Sequence, residues 1–267
     1  MPGSPIGQEG TMTRSALLIT GAGSGIGRAV ACAAARDGWY VHATDIDHAA
    51  AAETLDRVRQ RGGHGTSHGL DVTDAAAVAQ TFSALDAASV PLRGLFTAAG
   101  IDSGGASHEL DPAVWRRVLD VNATGTFLVV QQALEAMMHG GGSIVLCGSP
   151  AAQVGFAAGG VTAYGASKGA ISSMTRTLAV DYARFGIRIN AIVPGPTETP
   201  LMWANVPSAD VERMRDQVAR EVPLGRMAQP EEIAESVLWL LSDRASYTTG
   251  SLIGCDGGVL AKSSISV

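Results

Sequence analysis

Charge is scarce in this chain. Asp, Glu, Lys and Arg make up 16% of its 267 residues, the formal net charge is −6, and no lysine–arginine cluster occurs. Nucleic acids and anionic membrane surfaces recruit basic patches, so neither is an expected partner. Aromatic residues are equally sparse, at 5%. Cysteine is limited to Cys32, Cys147 and Cys255, far apart in apolar or glycine-rich surroundings. The odd count and the absence of metal-ligand spacing argue against a disulfide framework. Reduced thiols and a cytoplasmic location are expected instead. Of the six histidines, only His64 and His68 sit four apart, and glycines at 62, 63, 65 and 69 make that segment a poor helix. No metal site is expected. No apolar run is long enough to span a bilayer, and no signal-peptide pattern is visible.

Glycine, by contrast, is abundant (33 residues), and 46% of the chain is hydrophobic, enough for a buried core. Residues 1–13 read as a loose leader, 14–260 as one catalytic domain, and 261–267 as a tail. Strand and helix patterns alternate throughout, without repeats or a Pro/Ser-rich linker. About seven strands and six or seven helices predict a doubly wound α/β fold with a parallel sheet.

The apolar run at 16–20 leads into a glycine loop, Gly21, Gly23, Ser24, Gly25, Ile26 and Gly27, and then into a helix over 28–37. Strand, glycine loop and helix together form a pyrophosphate site: backbone N–H groups approach the phosphates and the helix N-terminus adds positive charge. The next strand, 40–44, ends at Asp45, 24 residues after Gly21, where a dinucleotide fold places the group that holds the adenosine ribose. A carboxylate accepts bonds from ribose hydroxyls and repels a 2′-phosphate. Ile46 follows Asp45 and Ser24 occupies the loop position where a cation might stand, so NAD is expected over NADP. A helix is predicted over 48–61, then a weak strand before Leu70, then a helix over 74–88. Asp71, with Val72 beside it, could bond the adenine amino group or be a plain turn residue. The strand 94–98 ends in a corner of small residues, Ala98, Ala99 and Gly100, that could lie under the cofactor.

Asp111-Pro112 opens a helix to about residue 138, interrupted at 122–125 by residues that favour other conformations. The interruption is either tolerated or a local distortion. The strand 143–147 ends at Ser149, placed where open α/β sheets bind ligands. A small-residue loop over 154–160 follows. Tyr164 and Lys168 then share one face of a long helix ending at Gly186, and an ammonium beside a phenol lowers its pKa toward use as an acid/base. A strand over 188–193 breaks at Pro194 and Gly195. Residues 197–228 read either as a lid over the site or as a surface helical turn packed on another subunit. A last helix, 230–241, and a strand, 251–255, complete the chain.

Taken in order, Thr20-Gly21-x-x-x-Gly25-x-Gly27, Asp71, Asn122, Ser149, Tyr164-x-x-x-Lys168, and Pro194-Gly195 with Thr199 resemble the short-chain dehydrogenases/reductases over nearly all of residues 14–260. The resemblance implies Tyr164 as general acid/base, Ser149 orienting the substrate oxygen, and Lys168 lowering the tyrosine pKa and bonding the nicotinamide ribose. It implies that a distorted helix at Asn122 holds a relay water, and that Val193, Thr197 and Thr199 bond the carboxamide. It also implies a homotetramer. Two departures stand out. The usual Asn-Asn-Ala-Gly corner is Thr97-Ala98-Ala99-Gly100, and the Ser149–Tyr164 interval is two residues longer than usual, the extra length falling near Ala158-Gly159-Gly160.

The expected activity is hydride transfer between NAD and a secondary alcohol/ketone pair. Val154, Phe156, Leu201, Met202 and Trp203 are candidate pocket residues and suggest an uncharged or lipophilic substrate. The alternatives are an NADPH-dependent 3-oxoacyl-thioester reductase and a non-catalytic nucleotide-sensing protein on the same fold.

Overall fold

The computed structural model describes residues 15–86, 90–156 and 159–262. The expected leader lies outside them, as does all but residues 261 and 262 of the tail. Seven parallel strands form one sheet: β1 (Ala16–Thr20), β2 (Tyr40–Asp45), β3 (His64–Gly69), β4 (Leu92–Thr97), β5 (Gly142–Cys147), β6 (Ile187–Pro194) and β7 (Leu252–Cys255). Their order is β3-β2-β1-β4-β5-β6-β7. The direction of winding reverses between β1 and β4, which opens a crevice at the carboxyl ends of the strands.

Helices cover both faces. α1 (Gly25–Arg36), α2 (His48–Gln60) and α9 (Pro230–Leu241) lie on one; α3 (Ala75–Asp86), α4 (Pro112–Leu119), α5 (Thr126–Met137) and α6 (Thr162–Tyr182) lie on the other. The strands are apolar on both sides because both sides are buried. Along β1, Ala16 and Leu18 join the core under α5 and α6, whereas Leu17 and Ile19 join the core under α1 and α9. Each large side chain fully buried this way contributes about 1.5–3 kcal/mol.

Three local features shape the site. β3, His-Gly-Thr-Ser-His-Gly, carries little apolar signal and forms because each of its residues pairs with β2 across a straight parallel register. Between α4 and α5, residues Asp120–Gly125 form a π-helical turn, so the interruption is a true distortion. Gly125 is required there: a Cβ would stand 2.6 Å from Val72 Cγ2. In the longer Ser149–Tyr164 interval, Ala158 lies outside the described residues. Gly159 and Gly160 both adopt positive φ (68° and 78°), and the Gly160 carbonyl accepts from the Gly105 N–H at 3.0 Å.

Residues 197–228 contain α7 (Pro200–Trp203) and α8 (Val211–Glu221). The base of this excursion is closed by Glu198 N–H to Ala228 O and Ala228 N–H to Pro196 O, both 2.9 Å.

Candidate active site

A cavity of about 1600 Å³ runs along the carboxyl edge of the sheet. Typical small-molecule sites are about 300–1,000 Å³, so there is room for a dinucleotide and a second molecule. The sheet sets this location, and the glycine loop forms the floor of one half. Gly21 has φ +65°, and a Cβ on it would meet Ala99 N at 2.6 Å. A Cβ on Gly27 would strike the Gly21 carbonyl oxygen. Helix α1 starts at Gly25, earlier than the predicted Arg28. Ser24 caps it in an extended conformation with no side-chain capping bond, which leaves the first-turn N–H groups without a side-chain acceptor in a stretch, Ser24 to Gly27, that lines the cavity.

Asp45 is held rigidly. Its Oδ2 accepts from Gly23 N–H at 2.8 Å and its Oδ1 from Asp47 N–H at 3.0 Å. It lines the cavity with Ile46, which is exposed. Contrary to expectation, a cation does lie near: the Arg28 guanidinium donates to the Gly23 carbonyl and to Glu53, and its Nε donates to Thr54 Oγ1. It does not line the cavity. Asp71 and Val72 do, and Asp71 Oδ1 accepts from both the Thr73 N–H (2.9 Å) and hydroxyl (2.8 Å), as a turn residue would.

Ala98, Ala99 and Gly100 form the central wall. The bracing lost with the two asparagines is partly supplied by Thr20. Its carbonyl accepts from Ala98 N–H and its hydroxyl from Ala99 N–H. The Thr97 hydroxyl, in the first asparagine's place, is buried without a partner. Asn122 sits behind this wall and pins Ile101 from both sides: Oδ1 accepts from Ile101 N–H and Nδ2 donates to Ile101 O, each at 2.8 Å. Nδ2 also reaches Ser167 Oγ at 3.0 Å. The Asn122 carbonyl accepts from the Thr126 hydroxyl.

Ser149, Tyr164 and Lys168 converge in the cavity. Ser149 Oγ accepts from Ala151 N–H at 3.2 Å, and its hydroxyl lies in hydrogen-bonding reach of the Tyr164 phenol. The Lys168 ammonium, buried, donates to the Cys147 carbonyl at 2.7 Å and lies 5.4 Å from the Tyr164 ring centroid. Here the expected acidity needs correction. Burial pushes the Tyr164 phenol above its ordinary range, and Cys147 and Asp102 add to the rise; the Lys168 charge and the Ser149 hydroxyl pull the other way without prevailing. The cation is in place, but the apolar setting outweighs it.

Pro194, Gly195, Thr197 and Thr199 line the far end. Gly23 and Val193 do not line it: Gly23 turns its N–H to Asp45, and Val193 is buried in the sheet. Val154, Phe156, Leu201 and Met202 form an apolar wall. Trp203 does not join them. Its indole N–H donates to Glu198 at 3.0 Å, Arg215 donates to the same carboxylate at 2.7 Å, and the guanidinium stacks on the indole. This cluster ties α7 to α8. Sequence reasoning missed Asp102, which lines the cavity two residues after the small-residue corner. It lies five residues past the end of β4, farther than Ser149 from β5, so the strand-end rule alone does not single it out. Among the described residues, no group of three His, Cys, Asp or Glu side chains could hold a metal ion, and no helix is long and apolar enough to cross a membrane.

A family model described as enoyl-(acyl carrier protein) reductase matches residues 21–260. The chain is 38% identical to 2-(S)-hydroxypropyl-CoM dehydrogenase 3 of Xanthobacter autotrophicus, over 92% of this chain and 96% of that one. It is 40% identical to cis-4-hydroxycyclohexanecarboxylate dehydrogenase of Sinomonas cyclohexanicum, over 91% and 96%. A crystal structure of a variant actinorhodin polyketide ketoreductase with NADPH superposes with a TM-score of 0.87 at 30% identity, covering 92% of this chain and 97% of the other. Sequence, sheet order and site agree: the chain belongs to the short-chain dehydrogenases/reductases, oxidoreductases that use nicotinamide cofactors.

Proposed function

We propose that the protein transfers a hydride between NAD(H) and a secondary alcohol/ketone pair, with Tyr164 as general acid/base. The observation that carries this reading is the convergence of Ser149, Tyr164 and Lys168 in the cavity that also holds the glycine loop and Asp45.

The residues fit a dinucleotide. The uncapped start of α1 and the glycine-rich loop suit a pyrophosphate. Asp45 would accept from the ribose hydroxyls, and Asp71 and Val72 would face the adenine. Pro194, Gly195, Thr197 and Thr199, with the Val193 backbone, would hold the carboxamide. Bound there, the cofactor supplies the hydride acceptor or donor.

The chain itself moves the proton. In oxidation Tyr164 takes the proton of the substrate hydroxyl, and in reduction it returns one to the carbonyl oxygen. Ser149 donates its hydroxyl proton to the same oxygen as negative charge grows on it. Lys168 opposes the upward push of burial on the phenol. Asn122 fixes Ile101 and so the cavity wall, and the π turn around it is the proposed seat of a relay water.

NAD over NADP is supported by the carboxylate of Asp45, locked in place, and by an Arg28 already engaged elsewhere. An alcohol/ketone reaction is supported by relatives named as dehydrogenases of hydroxylated compounds. The proposal includes residues 197–228 as a lid and a homotetramer, the latter supported by exposed Phe127 and Val180 on α5 and α6. Tyr164→Phe tests the core of the reading. Turnover with NAD and a panel of secondary alcohols should fall about 10²- to 10⁴-fold, with NADH binding, followed by fluorescence, nearly unchanged. Near-normal turnover in the variant, or a clear preference of the parent enzyme for NADPH, would overturn the corresponding part.

A further inference from the structure

The cavity does not end at α7. Four residues of α8 line it, Met214, Gln217, Val218 and Glu221, and the other seven residues of that helix do not. Offsets of three, four and seven place all four on one face of the helix. At 1.5 Å per residue, that face runs along about 10 Å of cavity wall. The short turn Val259–Ala261 and the residue after it add Val259 and Lys262 to the same wall. None of these residues has a part in the proton transfer or in the proposed cofactor contacts.

The rotation of α8 about its axis is fixed by contacts made off this face. Arg215, beside Met214 but on another face, donates to Glu198 and stacks on Trp203. At the other end of the helix, Lys262 Nζ donates to the Glu221 carbonyl at 3.0 Å. No residue of α8 is fully buried, so its apolar members Met214 and Val218 complete no core. The polar members of the stripe satisfy each other: Gln217 Nε2 donates to Glu221 Oε1 at 3.3 Å. Glu221 and Lys262 carry opposite charges, so this part of the wall has no excess charge with which to hold an ion. What it offers is apolar surface, in the same cavity as Leu201 and Met202 of α7.

We propose that the groove along α8 receives an unbranched alkyl chain carried on the reacting carbon, with Met214 and Val218 as specificity residues. The substrate class is then a secondary alcohol or ketone with an uncharged chain of several carbons, rather than a short alcohol. The apolar wall of α7 takes the first part of the chain and the α8 stripe takes the remainder. Each methylene moved out of water on to this surface improves binding by about two- to fourfold, the upper figure holding for complete burial. This inference rests on the alcohol/ketone reading, and its test is arranged so that the two can fail separately.

Turnover with NAD is compared for the straight-chain series from 2-butanol to 2-nonanol, in the parent enzyme, in Met214→Asn and Val218→Asn, and in Arg220→Asn, which lies off the stripe on the same helix. In parallel, each alcohol is titrated into the enzyme–NADH complex, in which it cannot be oxidised, with binding followed by NADH fluorescence. In the parent, kcat/KM and binding should both rise by about two- to fourfold per added methylene. Met214→Asn and Val218→Asn should flatten the rise for the longer alcohols and leave 2-butanol near the parent value, and Arg220→Asn should keep the parent slope. The slope is the readout, because a general loosening of the fold would lower every alcohol together. A parent enzyme indifferent to chain length overturns the inference. So does a rise that survives in both stripe variants; a changed oligomeric state in those variants would then assign the stripe to a subunit contact. Absence of turnover on every alcohol, with binding that rises with chain length and depends on the stripe, overturns the hydride-transfer reading and leaves this one standing.

Discussion

Replacing Lys168 by Met removes a cation that opposes burial of the Tyr164 phenol, and its effect on acidity follows from the geometry. The Lys168 nitrogen lies 5.4 Å from the Tyr164 ring centroid. At an effective dielectric of about 20, unit charges ~5 Å apart attract by ~3 kcal/mol, so the ammonium favours the phenolate over the neutral phenol. The sign is fixed by the chemistry. Alcohol oxidation needs the phenolate, so kcat/KM rises as pH rises through the phenol pKa. Losing the cation raises that pKa further, and the acidic limb of the profile should move toward alkaline pH. The assay is kcat/KM for oxidation of a secondary alcohol across the pH range, with NADH affinity measured in the same variant. A lysine that served only to hold the cofactor ribose would, on removal, weaken NADH binding at every pH and leave the limb in place. A limb that stays put while the rate falls would therefore refute the electrostatic role and leave Lys168 as a cofactor ligand alone.

Other expectations follow from separate parts of the molecule. His42 is buried with one ring nitrogen on Thr66 at 2.8 Å and the other unpartnered, and burial, with a lesser effect of His68, lowers its pKa to about 4. The unfolded chain binds this proton near pH 6.5 and the folded one near 4. The neutral ring's contribution is therefore whole above about pH 6.5 and lost as pH falls toward 4, up to ~3 kcal/mol. Urea titrations in this window should show that loss in the parent and not in His42→Leu; equal slopes would refute it. Thr97→Val removes a buried hydroxyl without a partner and should raise stability by ~1 kcal/mol, read as a higher denaturation midpoint; a lower midpoint would reveal a bond to that hydroxyl. Gly27→Ala forces a methyl into the Gly21 carbonyl, so NADH affinity should drop at least tenfold in a fluorescence titration, and unchanged affinity would exclude the loop as the pyrophosphate site.

The amino-acid sequence by itself determined the architecture and most of the cofactor half of the cavity. Apolar strands buried on both faces, a glycine loop between strand and helix, and an acid at the end of the next strand are local signals, each carried by neighbouring residues. Ser149, Tyr164 and Lys168 were legible for the same reason: strand ends and i,i+4 helix faces have fixed geometry. Only the tertiary structure decided the rest. β3 has no apolar alternation of its own and exists by pairing with β2. Whether residues 120–125 merely tolerate poor helix formers or leave the α-helix depended on how closely Gly125 must approach Val72. Trp203 looked like pocket lining but turns to Glu198 and Arg215, partners it meets only when α7 and α8 fold together. The acidity of Tyr164 went against its local pattern because desolvation sums over every atom packed around a group, whereas the lysine four residues on is one neighbour among them. Asp102 became visible for the same reason: its place in the cavity wall, with one carboxylate oxygen hidden from water, comes from segments distant in the chain packing around it.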